Sequence, residues 1–184
     1  MKRHIAILPI ALCLGFLQHV QAASPTTIND EVYKLAKDDL EQHYAREKLT
    51  CDNVSGNAKD ICKAEVAGAE KVAQARLKAQ HTGKQADKDA ATEAGIDARH
   101  KIAKERCDDL QGNQKDVCEK QAKAEHDKSM ASLKARQEIK EIRDEAAEKK
   151  RDADYKVAKE RCETLAGSAK DACQASAKAR FNVN

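Results

Sequence analysis

The sequence predicts an all-α protein: elongated, alanine-rich helical hairpins in a coiled-coil-like bundle, with three disulfide-stapled bends and one long central helix. Three observations predict this fold. The 184 residues are 35% charged and only 3% aromatic, they include just two prolines and seven glycines, and a cysteine-bearing segment recurs three times. Such a composition is typical of long helices and cannot supply a thick apolar core.

The N-terminal segment predicts export from the cytoplasm. Lys2 and Arg3 precede an apolar run over residues 5–17, which is followed by Ala22, and this order is typical of a cleaved secretory signal. The run is shorter than the roughly 20 residues that a membrane-spanning helix needs. We therefore expect a periplasmic protein that loses residues 1–22 as a signal peptide and is not stably inserted in the membrane.

The mature chain has six cysteines in three pairs, and each pair encloses ten residues. The three segments read CDNVSGNAKDIC, CDDLQGNQKDVC and CETLAGSAKDAC, so the chain contains an internal repeat. An even number of cysteines in an exported chain is typical of structural disulfides, and spacing of this kind is not typical of zinc ligands. The predicted disulfides join Cys51 with Cys62, Cys107 with Cys118, and Cys162 with Cys173.

A glycine in the middle of each segment predicts a sharp bend between two helices. Gly56, Gly112 and Gly167 are expected to end the first helix of each hairpin, because glycine readily adopts a left-handed conformation. A straight helix would hold the paired cysteines roughly 16 Å apart, which is too far for a disulfide. The hairpins and the disulfides therefore depend on each other.

The residues after each glycine predict the start of the second helix. Asn57, Asn113 and Ser168 are suited to N-capping, and an acidic residue follows three positions later in each copy, as in a capping box. These acidic residues are Asp60, Asp116 and Asp171.

The scarce glycines and prolines also mark the expected helix boundaries. Thr27 is expected to cap the first helix, and residues 81–83 are expected to separate the second helix from the third. The expected helices cover residues 28–55, 58–80, 86–111, 113–166 and 169–181. They form three hairpin units, residues 23–82, 83–139 and 140–184, of which the third shares the long helix. Residues 138–154 carry few apolar side chains and are expected to be exposed.

The polar residues do not form a recognisable catalytic or metal-binding motif. We therefore expect no enzyme activity, no catalytic or metal-binding residues and no cofactor. His100 takes the repeat position that Tyr44 and Tyr155 hold in the other copies, so its ring is expected to pack at a hairpin base. A lysine also recurs after each glycine, and it is either a solvent-facing residue or part of a basic functional surface. These lysines are Lys59, Lys115 and Lys170.

Acidic and basic residues are interleaved along the chain, which argues against nucleic-acid binding. We expect a non-enzymatic helical protein that acts as a structural spacer or adaptor in the cell envelope. One or more protein partners are expected, and association with a second copy of the chain is an open alternative. A stress-linked periplasmic chaperone or sequestering protein is the alternative function, and a metal carrier is a third.

An export signal followed by repeated CDxLxGNAKDxC-like hairpins in an Ala-, Lys- and Glu-rich chain resembles a group of exported Gram-negative bacterial proteins. Members of this group are sometimes labelled TolA-like or cell-envelope biogenesis proteins. The resemblance covers residues 29–181, and it implies a role in the cell envelope without assigning functional residues.

Overall fold

The computed structural model describes residues 27–183, which form five α-helices and no strand. A short 3-10 turn, Cys51–Asn53, follows the first helix. The predicted signal peptide lies outside the described residues. The helices are α1 (Asp30–Thr50), α2 (Asn57–Thr82), α3 (Gln85–Cys107), α4 (Gly112–Cys162) and α5 (Gly167–Phe181).

Within residues 27–183, each helix contacts only the helices that precede and follow it in the sequence. Helices α1 to α4 therefore form an open row of antiparallel neighbours, in which α2 and α3 share the most extensive interface. Helix α5 contacts only α4. The all-α fold of stapled hairpins with one long helix is confirmed.

The first and second bends lie side by side at one end of the molecule. The side-chain amide of Asn57 donates a hydrogen bond of 2.8 Å to the carbonyl of Glu105, and Arg106 lies 2.8 Å from Glu65. Helix α4 then leads away from these bends over 51 residues, a length of about 76 Å at 1.5 Å per residue. The third bend therefore lies at the far end.

The row arrangement leaves a thin core, because each helix buries only a narrow stripe against one or two neighbours. The largest fully buried side chains in the described chain are only those of three cysteines, one at each bend. Other buried positions are mostly small or lie singly along the helices. The buried residues are Cys51, Ala64, Gly68, Leu77, Ala79, Ile96, Cys107, Leu133, Cys162 and Ala177.

Helix α1 buries less than its sequence suggests. It has no fully buried residue, and Val32 and Leu35 are 46% and 64% exposed, because α1 has only α2 and the adjoining turn as neighbours. The prediction that Thr27 caps this helix was wrong. The cap is Asn29, whose side-chain oxygen accepts a 2.9 Å hydrogen bond from the Val32 N–H.

The connection between α2 and α3 is short because Gly83 ends α2 in the left-handed conformation, with φ +65°. Its N–H donates a 3.0 Å hydrogen bond to the carbonyl of Ala79. The two helices separate where the sequence predicts, but the break covers only residues 83–84, since His81 and Thr82 still belong to α2.

Candidate functional site

The three disulfides are present as predicted: Cys51–Cys62, Cys107–Cys118 and Cys162–Cys173. In each pair the Cα atoms lie 5.6 Å apart although 11 positions separate them in sequence. This closeness requires the chain to reverse between the two cysteines. Three disulfides within one chain indicate an oxidising, extracytoplasmic compartment.

The glycines lie at the bends, but their role differs from the predicted one. The first helix of each hairpin ends at or just before its first cysteine, five residues before the glycine in the second and third copies. Gly112 and Gly167 instead begin the second helix of their hairpins, and Gly56 is the N-cap residue of α2; their φ values are 54°, 57° and 60°. Gly56 combines its φ with a ψ of −151°, a backbone region that essentially only glycine occupies.

The predicted capping boxes were wrong. No side-chain hydrogen bond caps the N-terminus of α2, α4 or α5. The helices begin at or next to the glycine, so Asn57, Asn113 and Ser168 fall inside the first turn and not at its boundary. Asp60 remains in the first turn of α2, where its negative charge is favourable, whereas the first turns of α4 and α5 contain no acidic residue. The predicted capping roles of Asp116 and Asp171 are therefore also wrong.

The recurring lysines form ion pairs across the bends. The Nζ atoms of Lys59, Lys115 and Lys170 lie 2.8, 2.7 and 2.6 Å from an acidic oxygen. The acidic partner is always the residue after the first cysteine of the segment. The partners, in the same order, are Asp52, Asp108 and Glu163.

These cross-bend ion pairs change the pKa values of their members. Hydrogen bonding to Lys59 lowers the pKa of Asp52, and hydrogen bonding to Lys170 lowers that of Glu163. The hydrogen bond to Asp108 raises the pKa of Lys115. The sequence contained a signal for these pairs, namely opposite charges seven positions apart in all three copies. The lysines therefore belong to the bends and do not form a separate basic surface.

His100 packs between α3 and α4, as its repeat position predicts. Its Nδ1 atom lies 3.2 Å from the carbonyl of Ala122, and its ring centroid lies 4.7 Å from that of His126. His126 is itself 2.8 Å from Asp97 through Nε2. Hydrogen bonding to Asp97 raises the pKa of His126, and Asp127 adds to this effect.

The histidines of residues 27–183 do not converge on a metal centre. His81 stacks on Tyr33 with ring centroids 4.3 Å apart, and its Nδ1 atom lies 3.2 Å from the carbonyl of Ile28. Within residues 27–183, no group of three or more His, Cys, Asp or Glu side chains is placed to hold a metal ion.

The central stretch of α4 is the largest uncovered segment of the described chain. Every residue from 134 to 154 is exposed, because α3 packs near the start of α4 and α5 near its end. We call this stretch the central α4 surface. It mixes charges, with Lys149 and Glu145 2.6 Å apart, and it contains Ile139 and Ile142, which are 49% and 65% exposed. Its exposure confirms the expectation for residues 138–154.

None of the helices within residues 27–183 has both the length and the apolar character that crossing a membrane requires. The fold and the bends define a class, that of disulfide-stapled helical hairpin proteins. Comparison of the chain with protein-family models, with curated proteins and with solved structures finds no match.

Proposed function

We propose that this protein is a non-enzymatic structural or adaptor protein of the Gram-negative cell envelope, located in the periplasm. The observation that carries the proposal is the central α4 surface, an uncovered helix between two disulfide-stapled ends. At 1.5 Å per residue its 21 residues provide a contact surface about 30 Å long.

The stapled ends support a role as a spacer. A disulfide lies where α3 meets α4, and another lies where α4 meets α5. Each holds a helical hairpin against one end of α4, so the central helix joins two separately reinforced regions. A spacer or adaptor needs length and accessible surface, and it needs no convergent catalytic group.

The exposed isoleucines support protein contact on the same stretch. Ile142 is 65% exposed among charged neighbours, and an apolar residue surrounded by charges is a common anchor within a polar contact surface. A single helix that keeps charges of both signs on all sides is suited to a partner that supplies complementary charges.

A crosslinking experiment tests the proposal. A photoreactive amino acid at Ile142 is expected to capture a discrete protein partner in intact cells that export the protein. Leu49 on α1 is the matched control, since its exposure of 67% is nearly the same. Equal crosslinking patterns from the two positions, or no partner from Ile142, would contradict an adaptor role for the central α4 surface.

A second candidate function is that of a chaperone or sequestering protein. It is favoured by large apolar side chains that are exposed on several helices, Leu35, Leu49 and Ile142 among them. A chaperone would reduce the light scattering of an aggregating client protein, whereas a spacer would leave it unchanged. The same measurement with the Leu35→Ser, Leu49→Ser variant shows whether these residues are responsible.

A further inference from the structure

A groove with a volume of about 710 Å³ lies between the second half of α2 and the first half of α3. Its floor is made of small residues that recur at helical spacing on the two helices. Ala79 and Gly83 come from the end of α2, and Ala91 and Gly95 come from α3. The alanine methyl groups and the glycine CH₂ groups therefore form an apolar floor of the groove, on which a ligand can lie.

One end of the groove is closed by the residues before α1. The Ile28 N–H donates a 3.4 Å hydrogen bond to the Gln80 carbonyl, which holds this segment against the end of α2. The methyl group of Thr27 then lies so close to Gly83 that a Cβ atom at Gly83 would be only 2.8 Å from it. The groove is thus bounded by three parts of the chain and is not a flat helix face.

Three cationic side chains line the groove: Arg76 from α2, and Lys88 and Arg99 from α3. No acidic residue lines it. The whole chain carries 34 basic and 31 acidic residues, so this separation of charge is a local property of the fold. Interleaved charges along the sequence have become segregated on the surface.

Three carboxylates on the neighbouring turns, those of Glu70, Asp87 and Asp97, are engaged elsewhere. Asp87 accepts hydrogen bonds from Lys78 and Thr82, and Asp97 pairs with His126. Glu70 lies 2.6 Å from Lys48 on α1. Among residues 27–183, no ion pair involves Arg76, Lys88 or Arg99. Their positive charges are therefore available to a ligand.

The position of Arg99 places a charge directly over the floor. A Cβ atom built on Gly95 would lie 3.7 Å from Nη1 of Arg99, one turn further along the same helix, and no atom of a neighbouring helix lies within 4 Å of it. The guanidinium group therefore folds back along the groove. Guanidinium groups bind carboxylates and phosphates through paired hydrogen bonds, so this geometry suits an anionic head group.

We propose that the α2–α3 groove binds an anionic amphiphile, a carboxylate or phosphate head joined to an apolar body. Arg76, Lys88 and Arg99 supply the positive charge that attracts the head, and the apolar body lies on the floor of small residues. The span from Lys88 to Arg99 is about 16 Å along α3, long enough for a chain as well as a head group. The site is separate from the central α4 surface and goes beyond the function proposed above.

Calorimetric titration of the oxidised full chain tests the proposal, with dodecyl phosphate below its self-association concentration as the probe. The expected result is saturable binding at one site. Inorganic phosphate, which has the head group alone, is expected to bind at least about tenfold more weakly because it buries no apolar surface. Equal affinity for the two probes would overturn the amphiphile assignment, and no binding of dodecyl phosphate would overturn the site.

Matched variants locate the binding. Arg76→Gln, Lys88→Gln, Arg99→Gln in one protein is expected to weaken dodecyl phosphate binding by roughly tenfold. Arg143→Gln, Lys150→Gln, Arg151→Gln is the control, because it removes two arginines and one lysine from the exposed central α4 surface. An equal loss in both variants would show attraction by overall charge and overturn the site. Circular dichroism checks that both variants keep their helices.

A variant that fills the groove and a comparison of two kinds of lipid vesicle complete the test. Gly95→Leu is expected to weaken dodecyl phosphate binding, because the leucine side chain fills the groove and displaces the Arg99 guanidinium group from its place over Gly95; unchanged affinity would overturn the site. Vesicles of phosphatidylglycerol, compared with phosphatidylcholine, distinguish the source of the anion. Binding to phosphatidylglycerol that dodecyl phosphate displaces identifies a lipid head group, whereas binding of dodecyl phosphate alone identifies a soluble amphiphile.

Discussion

Two glycines inside helices, Gly68 and Gly95, differ in whether the surrounding structure leaves room for a Cβ atom. Gly68 on α2 faces α3 so closely that a Cβ atom there would lie 2.9 Å from the Cβ of Ala98. A Cβ atom on Gly95 of α3 would be near only the end of the flexible Arg99 side chain. One glycine is therefore required by helix packing, and the other is not.

The two alanine substitutions are expected to have opposite effects on stability. Gly95→Ala should stabilise the protein by about 0.5–1 kcal/mol, because alanine favours helices over glycine. Gly68→Ala gains the same preference but overpacks the α2–α3 interface, so we expect a net loss of about 1 kcal/mol. Urea unfolding of the oxidised protein measures both values. Equal stabilisation by the two variants would contradict the close approach of α2 and α3.

At the same scale, the pair formed by His126 and Asp97 links α3 to α4 in a pH-dependent way. Asp97 raises the pKa of His126 in the folded protein. A group whose pKa is raised by folding contributes stability below its unfolded pKa, and this contribution is lost as the pH rises through the folded value. The pair therefore stabilises the α3–α4 contact most in mildly acidic solution.

The measurement is a comparison of melting temperatures for the wild type and Asp97→Asn between pH 5 and pH 8. The variant should melt at a lower temperature near pH 5, and the difference should shrink as His126 loses its proton. The nearby His100, Glu125 and Asp127 are the same in both proteins. A difference that grows towards pH 8 would show that the sign of this linkage is wrong.

At the scale of the helices, α5 is the element that depends most on its disulfide. It has 15 residues and a single buried side chain, Ala177, and an isolated helix of this length is marginal in water. Tyr155 and Phe181 add an edge-to-face contact with ring centroids 6.2 Å apart. Helix α3, by contrast, is packed between α2 and α4.

Removal of the third disulfide by Cys162→Ser and Cys173→Ser is expected to release α5. A disulfide that closes a loop this short contributes about 2–3 kcal/mol, which is more than the packing of α5 can replace. Hydrogen exchange should show loss of protection over Gly167–Phe181. The matched variant, Cys107→Ser with Cys118→Ser, should keep α3 protected, and loss of α3 protection to the same degree would contradict this ranking.

At the scale of the whole molecule, the open row of helices predicts an uneven distribution of stability. Helices α2 and α3 have a neighbour on each side, whereas every residue of the central α4 surface is exposed. Segments with few tertiary contacts open locally at low free energy. The molecule should therefore behave as a stable α2–α3 centre connected to less protected extensions.

Native-state hydrogen exchange tests this distribution directly. Amides of residues 134–154 are expected to exchange at least about tenfold faster than those in the middle of α2, a difference of about 1.4 kcal/mol in opening free energy. Uniform protection along α4 would mean that the central α4 surface is covered in solution, for example by a second copy of the chain. Measurement at several protein concentrations separates that case from intrinsic stability.

Local features were predictable from the sequence because they depend on neighbouring residues. Helical composition, the breaks at glycine and the cysteine spacing together determined the helices, the bends and the disulfide pairs. The lack of apolar residues also predicted the exposed centre of α4. Each of these inferences depends on a few consecutive residues and on the fixed rise of a helix.

Only the tertiary structure decided which contacts the residues at the bends make and how the helices are arranged against one another. The capping roles of Asn57 and Asn113 were wrong because the helices start closer to the glycines, and Asn57 instead binds the carbonyl of Glu105 on α3. The order of helices in a row and the unpaired cations of the α2–α3 groove arise from contacts between distant residues. Such contacts depend on how whole helices pack. When acidic and basic residues alternate along a sequence, the sequence does not show which charged residues from different helices will line the same groove.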